Sequence, residues 1–534
     1  MPSLSHADHR SSPPVIDIPR DYNAAADLLG RNLAAGRGDK VAYIDDAGSY
    51  TYADLDRRTS QFANLLRKLG VDVEQRILVC AHDTIDFPTV FLGAIKAGVV
   101  PVAVNTLLTA SDYEYMLADS RARIAIVSEP LAPMFDALRP KLAHLRGMLV
   151  AGASTDRVDA LAAAMSGLAT EAPIAATTKD DACFWLYSSG STGAPKGTVH
   201  VHGSLIETAE LYAVPVLGIE ARDVVFSAAK LFFAYGLGNG LSFPLAVGAT
   251  AVLMAERPTP AAIARRLREH RPTIFYGVPT LYAAMLASPE LPRRDEVALR
   301  RCTSAGEALP EQIARRWAER FGVDILDGIG STEMLHIYLS NRPDDVRYGT
   351  TGKAVPGYEL RIVDEAGHAV ARGAQGELQI AGSTHAAAYW NNRAKSCSTF
   401  LGNWTRSGDK YSQDADGYYV YAGRSDDMLK VSGIYVSPVE VEASLVTHDA
   451  VLEAAVVGRE DDDRLVKPAA YVVLKPGIAA TSELTEALKQ HVKSRLAPYK
   501  YPRWFEFVPE LPKTATGKIQ RFKLRELARR TRPA

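Results

Sequence analysis

ACFWLYSSGSTGAPKG, residues 182–197, sets an apolar run against a loop that holds three glycines, four small hydroxyl side chains and one lysine. The run reads as a buried strand, and the loop from Ser188 to Gly197 has the composition of a phosphate cradle. Glycine lets backbone N–H groups turn toward one centre, the hydroxyls of Ser188, Ser189, Ser191 and Thr192 add donors, and Lys196 supplies a point charge for a polyphosphate. A Gly/Ser loop alone reads more simply as a flexible turn. Its place directly after an apolar strand, and the order Thr-Gly-x-Pro-Lys-Gly, favour the cradle. Lys196 is preceded by Pro195 and followed by Gly197, so the loop is not a Walker A sequence. Gly190-Ser191-Thr192 misses the nucleophile elbow, and GLGNG at 236–240 misses the dinucleotide fingerprint.

Outward from this loop, the upstream chain alternates helix and strand. Leu55, Phe62, Leu65, Leu66 and Leu69 fall at helical spacing before Gly70, and the strand RILVCA follows. A helix is expected over Phe87–Ala97, then the strand VVPVAV, then a helix opened by a capping box of Ser111 and Glu114, then the strand RIAIVS. Continuously apolar strands of this kind imply largely parallel sheets covered on both faces by helices, as far as about residue 330. Downstream, GYELRIVDEAGHAVARGAQGELQIAG (357–382) reads as two strands around a turn, a small antiparallel unit. Charge clusters at 423–430, and a domain boundary is placed near Ser425. Beyond it come a helix opened by Ser437 and Pro438 and another with Leu484, Leu488, Val492 and Leu496 on one face. The basic tail from Lys513 to Arg532 is expected to be a solvated terminal helix.

The 534 residues correspond to three or four units of roughly 150 residues. A composition of 47% hydrophobic and 23% charged residues excludes global disorder. The net charge of −1 gives no overall field to draw nucleic acid. Cys80, Cys183, Cys302 and Cys397 lie far apart, without disulfide or metal spacing, which fits a reducing cytoplasm. The N-terminus lacks a signal-peptide core, and the apolar stretch Phe87–Val104 is broken by Lys96 and Pro101, so a soluble, cytoplasmic protein is expected.

Further motifs accompany the cradle in order: SAGEALP (304–310), DGIGSTE (327–333), WTRSGD (404–409) with YAGRSDDMLKVSG (421–433), and PKTATGKIQR (512–521). With YSSGSTGAPKG they resemble the adenylate-forming superfamily of acyl-CoA synthetases, nonribosomal-peptide adenylation domains and luciferases. The resemblance extends from about Asp21 to Arg525. Within the superfamily, KLFFAYGLGNG, DGIGSTEMLHIYLSN and GRSDDMLKVSGIYVSP look most like bacterial benzoate–CoA ligases. The implied fold is α/β: a large N-terminal domain, 1–425, of two mostly parallel helix-covered sheets plus a small antiparallel β unit, then a small mobile α+β domain, 426–534.

The resemblance also implies roles. Ser188, Ser189, Gly190, Ser191, Thr192, Gly193 and Lys196 would hold the β- and γ-phosphates of ATP, and Glu333 with Thr192 would hold Mg2+. Ala305, Gly306, Glu307 and Asp327 would meet adenine, flanked by Gly328, Ile329, Gly330, Ser331 and Thr332. Asp409 would accept from both ribose hydroxyls, supported by Arg424. Lys518 would reach the carboxylate and α-phosphate, and with Glu333, Thr192 and Lys196 forms the expected catalytic set. Asp426 would be the hinge, with Lys430 and Gly433 serving the coenzyme A step. The acid would sit against Phe232, Phe233, Ala234, Tyr235, Gly236, Gly328, Ile329, Gly330, Ile337 and His336. That histidine reads equally as pocket wall, as partner for a ring hydroxyl, or as satisfied core residue.

The implied reaction joins an aromatic acid to AMP and then to coenzyme A, with benzoate first and hydroxybenzoate or another aryl acid second. Carrier-protein loading, a luciferase-type oxidation and a kinase-like transfer are further alternatives. The expected partners are the acid, ATP and coenzyme A, with neither nucleic acid nor membrane; a homodimer is left open.

Overall fold

Alternate residues along single strands feed different cores, which fixes the layering. In the strand Arg76–Cys80, Ile77 and Val79 join one buried cluster while Leu78 and Cys80 join another. The strand Ile274–Gly277 does the same, with Ile274 and Tyr276 in the first cluster and Phe275 in a third. The first cluster is therefore shared by two sheets, and each sheet has a second core on its outer face.

The computed structural model describes residues 4–152, 157–188, 194–425, 427–431, 434–461, 465–513 and 519–530. One sheet has seven strands, of which Ala182–Ser188, Val100–Ala103, Arg76–Cys80, Ile124–Ser128 and Gly147–Ala151 are parallel neighbours in that order. Lys196–Val201 and Ala388–Tyr389 extend it antiparallel. The other sheet has nine strands. Ile325–Gly330, Arg301–Ser304, Ile274–Gly277, Val224–Ser227, Thr250–Val252 and Val41–Asp45 form its parallel centre. The helix Asp86–Lys96 is buried all round in the shared core. At Gly93 a Cβ would lie 2.8 Å from the Thr59 carbonyl oxygen, so glycine is what lets this helix meet Tyr52–Lys68.

Glu359–Val363, Gly376–Ala381, Phe400–Leu401, Trp404–Gln413 and Tyr419–Arg424 form the small antiparallel unit, the first two paired around the expected turn. In the C-terminal part, Val451–Glu460 pairs antiparallel with Val466–Leu474, which pairs parallel with Trp504–Phe507. Helices Pro438–Val446 and Ser482–Arg495 pack there, the first capped by Ser437 as read from sequence.

Two local expectations are corrected. The helix Ala110–Ser120 starts earlier than Ser111 and Glu114 suggest: extended Thr109 is the N-cap, and the capping box is Thr109 with Asp112. Ser111 is already inside the first turn. The basic terminus is not a solvated helix either. Helix Arg521–Arg530 buries Leu524 and Ala528 against Ala455 and Val457, and Arg521 reaches Glu442 at 2.6 Å. Among the described residues no helix is long and apolar enough to cross a membrane.

Candidate active site

The phosphate cradle connects two antiparallel neighbours rather than a strand and a helix, because Ser188 and Lys196 face each other across the ladder. Ser189, Gly190, Ser191, Thr192 and Gly193 lie outside the described residues. Lys196 Nζ sits 4.9 Å from the centroid of the Tyr389 ring. The Tyr389 hydroxyl donates to Glu333 Oε1 at 2.8 Å, so Lys196 and Glu333, distant in sequence, meet through one phenol. Burial and the Glu333 charge push the phenol pKa upward, which keeps it a donor. Glu333 follows the strand Ile325–Gly330, and its carbonyl accepts from Ala386 N at 2.7 Å. The preceding residue, Thr332, offers its carbonyl to His200 Nε2 at 2.7 Å. Burial lowers His200 to about 4, so it is a neutral strut for this turn.

On the nucleotide side, Asp327 follows Leu326 on the same strand and stands opposite Ser304 on the parallel neighbour. Its carboxyl is buried, Oδ1 has no hydrogen-bond partner, and burial holds its pKa well above the usual range. Ala305 is buried and Gly306 takes a left-handed φ of 96°. Glu307 points to the other end of the chain: its Oε1 accepts from Ile519 N at 3.0 Å. Asp409 and Arg424 are cross-strand partners, with Arg424 Nη1 donating to Asp409 Oδ1 at 3.2 Å. Gly408, at φ 73°, makes the turn of chain that brings the guanidinium alongside.

On the acid side, Ala234–Leu237 runs into a π-helical stretch, Gly238–Ser242, and a second π-helical stretch, Ala209–Leu217, lies nearby through Tyr212. Extra-wide turns of this kind gather at functional sites. The His336 ring packs 4.4 Å from Phe243 and 5.5 Å from both Tyr212 and Tyr235, centroid to centroid. Its Nε2 lies 3.2 Å from Tyr235 O and from Asn239 Oδ1. Both partners are acceptors once the Asn239 oxygen is so placed, so Nε2 carries the proton. Burial lowers the imidazole to about 3, making it neutral. Of the three readings of His336, the core histidine matches these contacts, except that Nδ1 is buried without a hydrogen-bond partner. Phe232 and Phe233 stack obliquely at 4.6 Å. Ile337 is buried beside Gly328, where a Cβ would meet it at 3.2 Å. Gly236 has no room for a side chain, since a Cβ would stand 2.0 Å from Lys230 O. At Gly330 a Cβ would stand 2.5 Å from His336 O.

Lys518, Asp426 and Gly433 lie outside the described residues, and Lys430 is described only as part of the strand Leu429–Val431. Sequence reasoning missed Tyr389, Asn239 and Asp83. Asn239 lies inside the quoted KLFFAYGLGNG. Asp83 comes from the other sheet, and its carboxylate accepts from Leu231 N at 3.2 and 3.3 Å, with burial pushing its pKa up to about 6. Among the described residues no three His, Cys, Asp or Glu side chains gather to hold a metal. A cation here would have Glu333 and would need ligands brought by a substrate. Such a donor set fits a hard cation that keeps phosphate and water oxygens.

The model of the AMP-binding enzyme family matches residues 31–390, and that of the AMP-binding enzyme C-terminal domain matches 440–518. A benzoate–CoA ligase of Thauera aromatica is 66% identical over 98% of this chain and 100% of its own length. A 4-hydroxybenzoate–CoA/benzoate–CoA ligase of Rhodopseudomonas palustris is 50% identical over 95% of this chain and 94% of its own. The solved structure of a benzoate CoA ligase from Burkholderia xenovorans LB400 superposes with a TM-score of 0.89 at 59% identity, over 94% of this chain and 100% of that one. With family models covering both parts and relatives matching end to end, the chain belongs to the AMP-binding enzyme family.

Proposed function

We propose that this protein is an ATP-dependent benzoate–CoA ligase. A benzoate oxygen attacks the α-phosphorus of ATP, the bond to the β-phosphate bridging oxygen breaks, and benzoyl-AMP and pyrophosphate form. The sulfur of coenzyme A then attacks the acyl carbon, AMP leaves with the electron pair of the acyl–oxygen bond, and the thiol proton passes to solvent. Nothing is oxidised or reduced. The observation that carries the reading is the end-to-end likeness to the Thauera aromatica benzoate–CoA ligase.

The residues divide the work. Lys196 and the cradle from Ser188 to Gly193 hold the polyphosphate, Asp409 with Arg424 holds the ribose, and Ala305 to Glu307 with Asp327 receive the base. Glu333 and Thr192 would hold Mg2+, which would supply charge neutralisation to the phosphates when bound. Lys518 steadies the charge that builds on the α-phosphate oxygens. The division at 425/426, with Asp426 as hinge, lets the C-terminal domain turn so that the segment around Lys430 and Gly433 faces the thiol. Phe232 and Phe233 stand where an amino-acid substrate would need a carboxylate for its ammonium, which argues against amino acids. Free cysteines, three of them buried, fit a cytoplasmic protein.

A second reading, hydroxybenzoate, is favoured by the unpartnered Nδ1 of His336, an acceptor suited to a ring hydroxyl. Comparing kcat/KM over a panel of aryl acids, with AMP or ADP identified as product, tests both. Absence of acid-dependent pyrophosphate exchange into ATP with every acid offered would overturn the proposal.

A further inference from the structure

We infer that Tyr389 is a positioning residue for the first half-reaction, setting the Glu333 carboxylate and the Lys196 ammonium at a fixed separation for one cation-bound polyphosphate. The inference rests on the reading of those two residues given above.

Tyr389 ends the short strand Ala388–Tyr389, which pairs with Thr198 and Val199 and so belongs to the same ladder as Lys196. The side chain is buried and braced by Phe400 at 5.2 Å between ring centroids. A buried hydroxyl is costly without a partner, and this one donates to Glu333 Oε1 at 2.8 Å. Ala386 N, three residues upstream, binds the Glu333 carbonyl, so side chain and backbone of Glu333 are both fixed from one short segment. With Oε1 committed to the phenol, Oε2 is the oxygen presented to a cation. An outer partner of this kind orients a ligand and tunes its basicity. The ammonium of Lys196 lies over the face of the same ring, a favourable cation–π placement. One rigid ring thus touches both charges. Two long side chains of opposite sign would otherwise be drawn together whenever the polyphosphate is gone.

The test uses the full-length Tyr389→Phe protein, which keeps the ring and loses the hydroxyl. Binding of Mn2+ in the presence of α,β-methylene-ATP is followed by the free-ion paramagnetic resonance signal. Weakening by about 10-fold or more is expected. Benzoate-dependent pyrophosphate exchange should fall by a similar factor, and extra divalent cation should restore part of it. Coenzyme A capture of supplied benzoyl-AMP should change less than about twofold, since that step uses neither polyphosphate nor cation. Tyr389→Leu, which also removes the ring under Lys196, should raise the KM for ATP beyond the Phe variant. Unchanged Mn2+ binding in the Phe variant, or equal loss in both half-reactions, overturns the inference. Failure of the parent enzyme to exchange pyrophosphate with any acid overturns the proposed function instead, so the two failures are distinguishable.

Discussion

The two sides of the site are built by different means. On the acid side, Tyr235, His336 and Asn239 are packed among rings, His336 Nε2 meeting Tyr235 O and Asn239 Oδ1, with glycines where any side chain would collide. On the nucleotide side, Lys196, Glu333 and the Asp409–Arg424 pair stand at strand ends and turns. Shape decides what enters the first, and charge decides what is held by the second. Changes on the acid side should therefore cost stability and acid binding together, while changes on the nucleotide side should cost nucleotide binding and turnover with little loss of stability.

Gly236→Ala should have the largest effect, because its Cβ meets a backbone carbonyl that cannot swing aside. A loss of about 3 kcal/mol or more, read by denaturant unfolding, is expected together with loss of acid binding. Normal stability with normal KM would break the contrast.

Asp83→Asn sharpens it through pH. The folded pKa of about 6 lies above the ordinary aspartate value of 3.8, so the native protein holds the proton more tightly than the unfolded chain. The contribution of Asp83 to stability is thus present below about pH 4 and lost as pH rises through about 6. The stability difference between variant and parent should move in favour of the variant by about 3 kcal/mol at most between pH 4 and 7. A pH-independent difference would contradict the buried placement.

Asp409→Asn should raise the KM for ATP by about 10–100-fold, through two weakened charge-assisted bonds to a diol. The unfolding midpoint should hardly move. A large stability loss would place Asp409 with the acid-side residues instead. Smallest, and outside both regions, Thr109→Ala should cost about 1 kcal/mol and Ser111→Ala close to nothing. The reverse order would restore the capping box read from sequence.

The layered α/β architecture and the small antiparallel unit were legible because apolar runs and turn residues declare themselves locally. Lys196, Glu333, Asp409 and Arg424 could be singled out as candidates for a related reason: phosphate and diol chemistry would demand glycine, hydroxyl, lysine and carboxylate in short runs. Tyr389 was not, since an aromatic residue in a strand looks like core until the pairing with Thr198 is known. Asp83 was hidden likewise, because it follows a strand of one sheet while its partner Leu231 follows a strand of the other. Ser111 misled because two adjacent caps satisfy the same pattern and only the extended backbone at Thr109 decides between them. The terminal helix misled because its charges outnumber Leu524 and Ala528, the residues that anchor it.

Ser188 and Lys196 are paired across two antiparallel strands, so among the described residues flanking the cradle none begins a helix that would lend a standing dipole to the polyphosphate. Under the proposed function, positive charge at that spot would come from the Lys196 amine and from a cation that Glu333 would help to hold. A grip that depended on an exchangeable cation would loosen as pyrophosphate departs, at the moment release is needed.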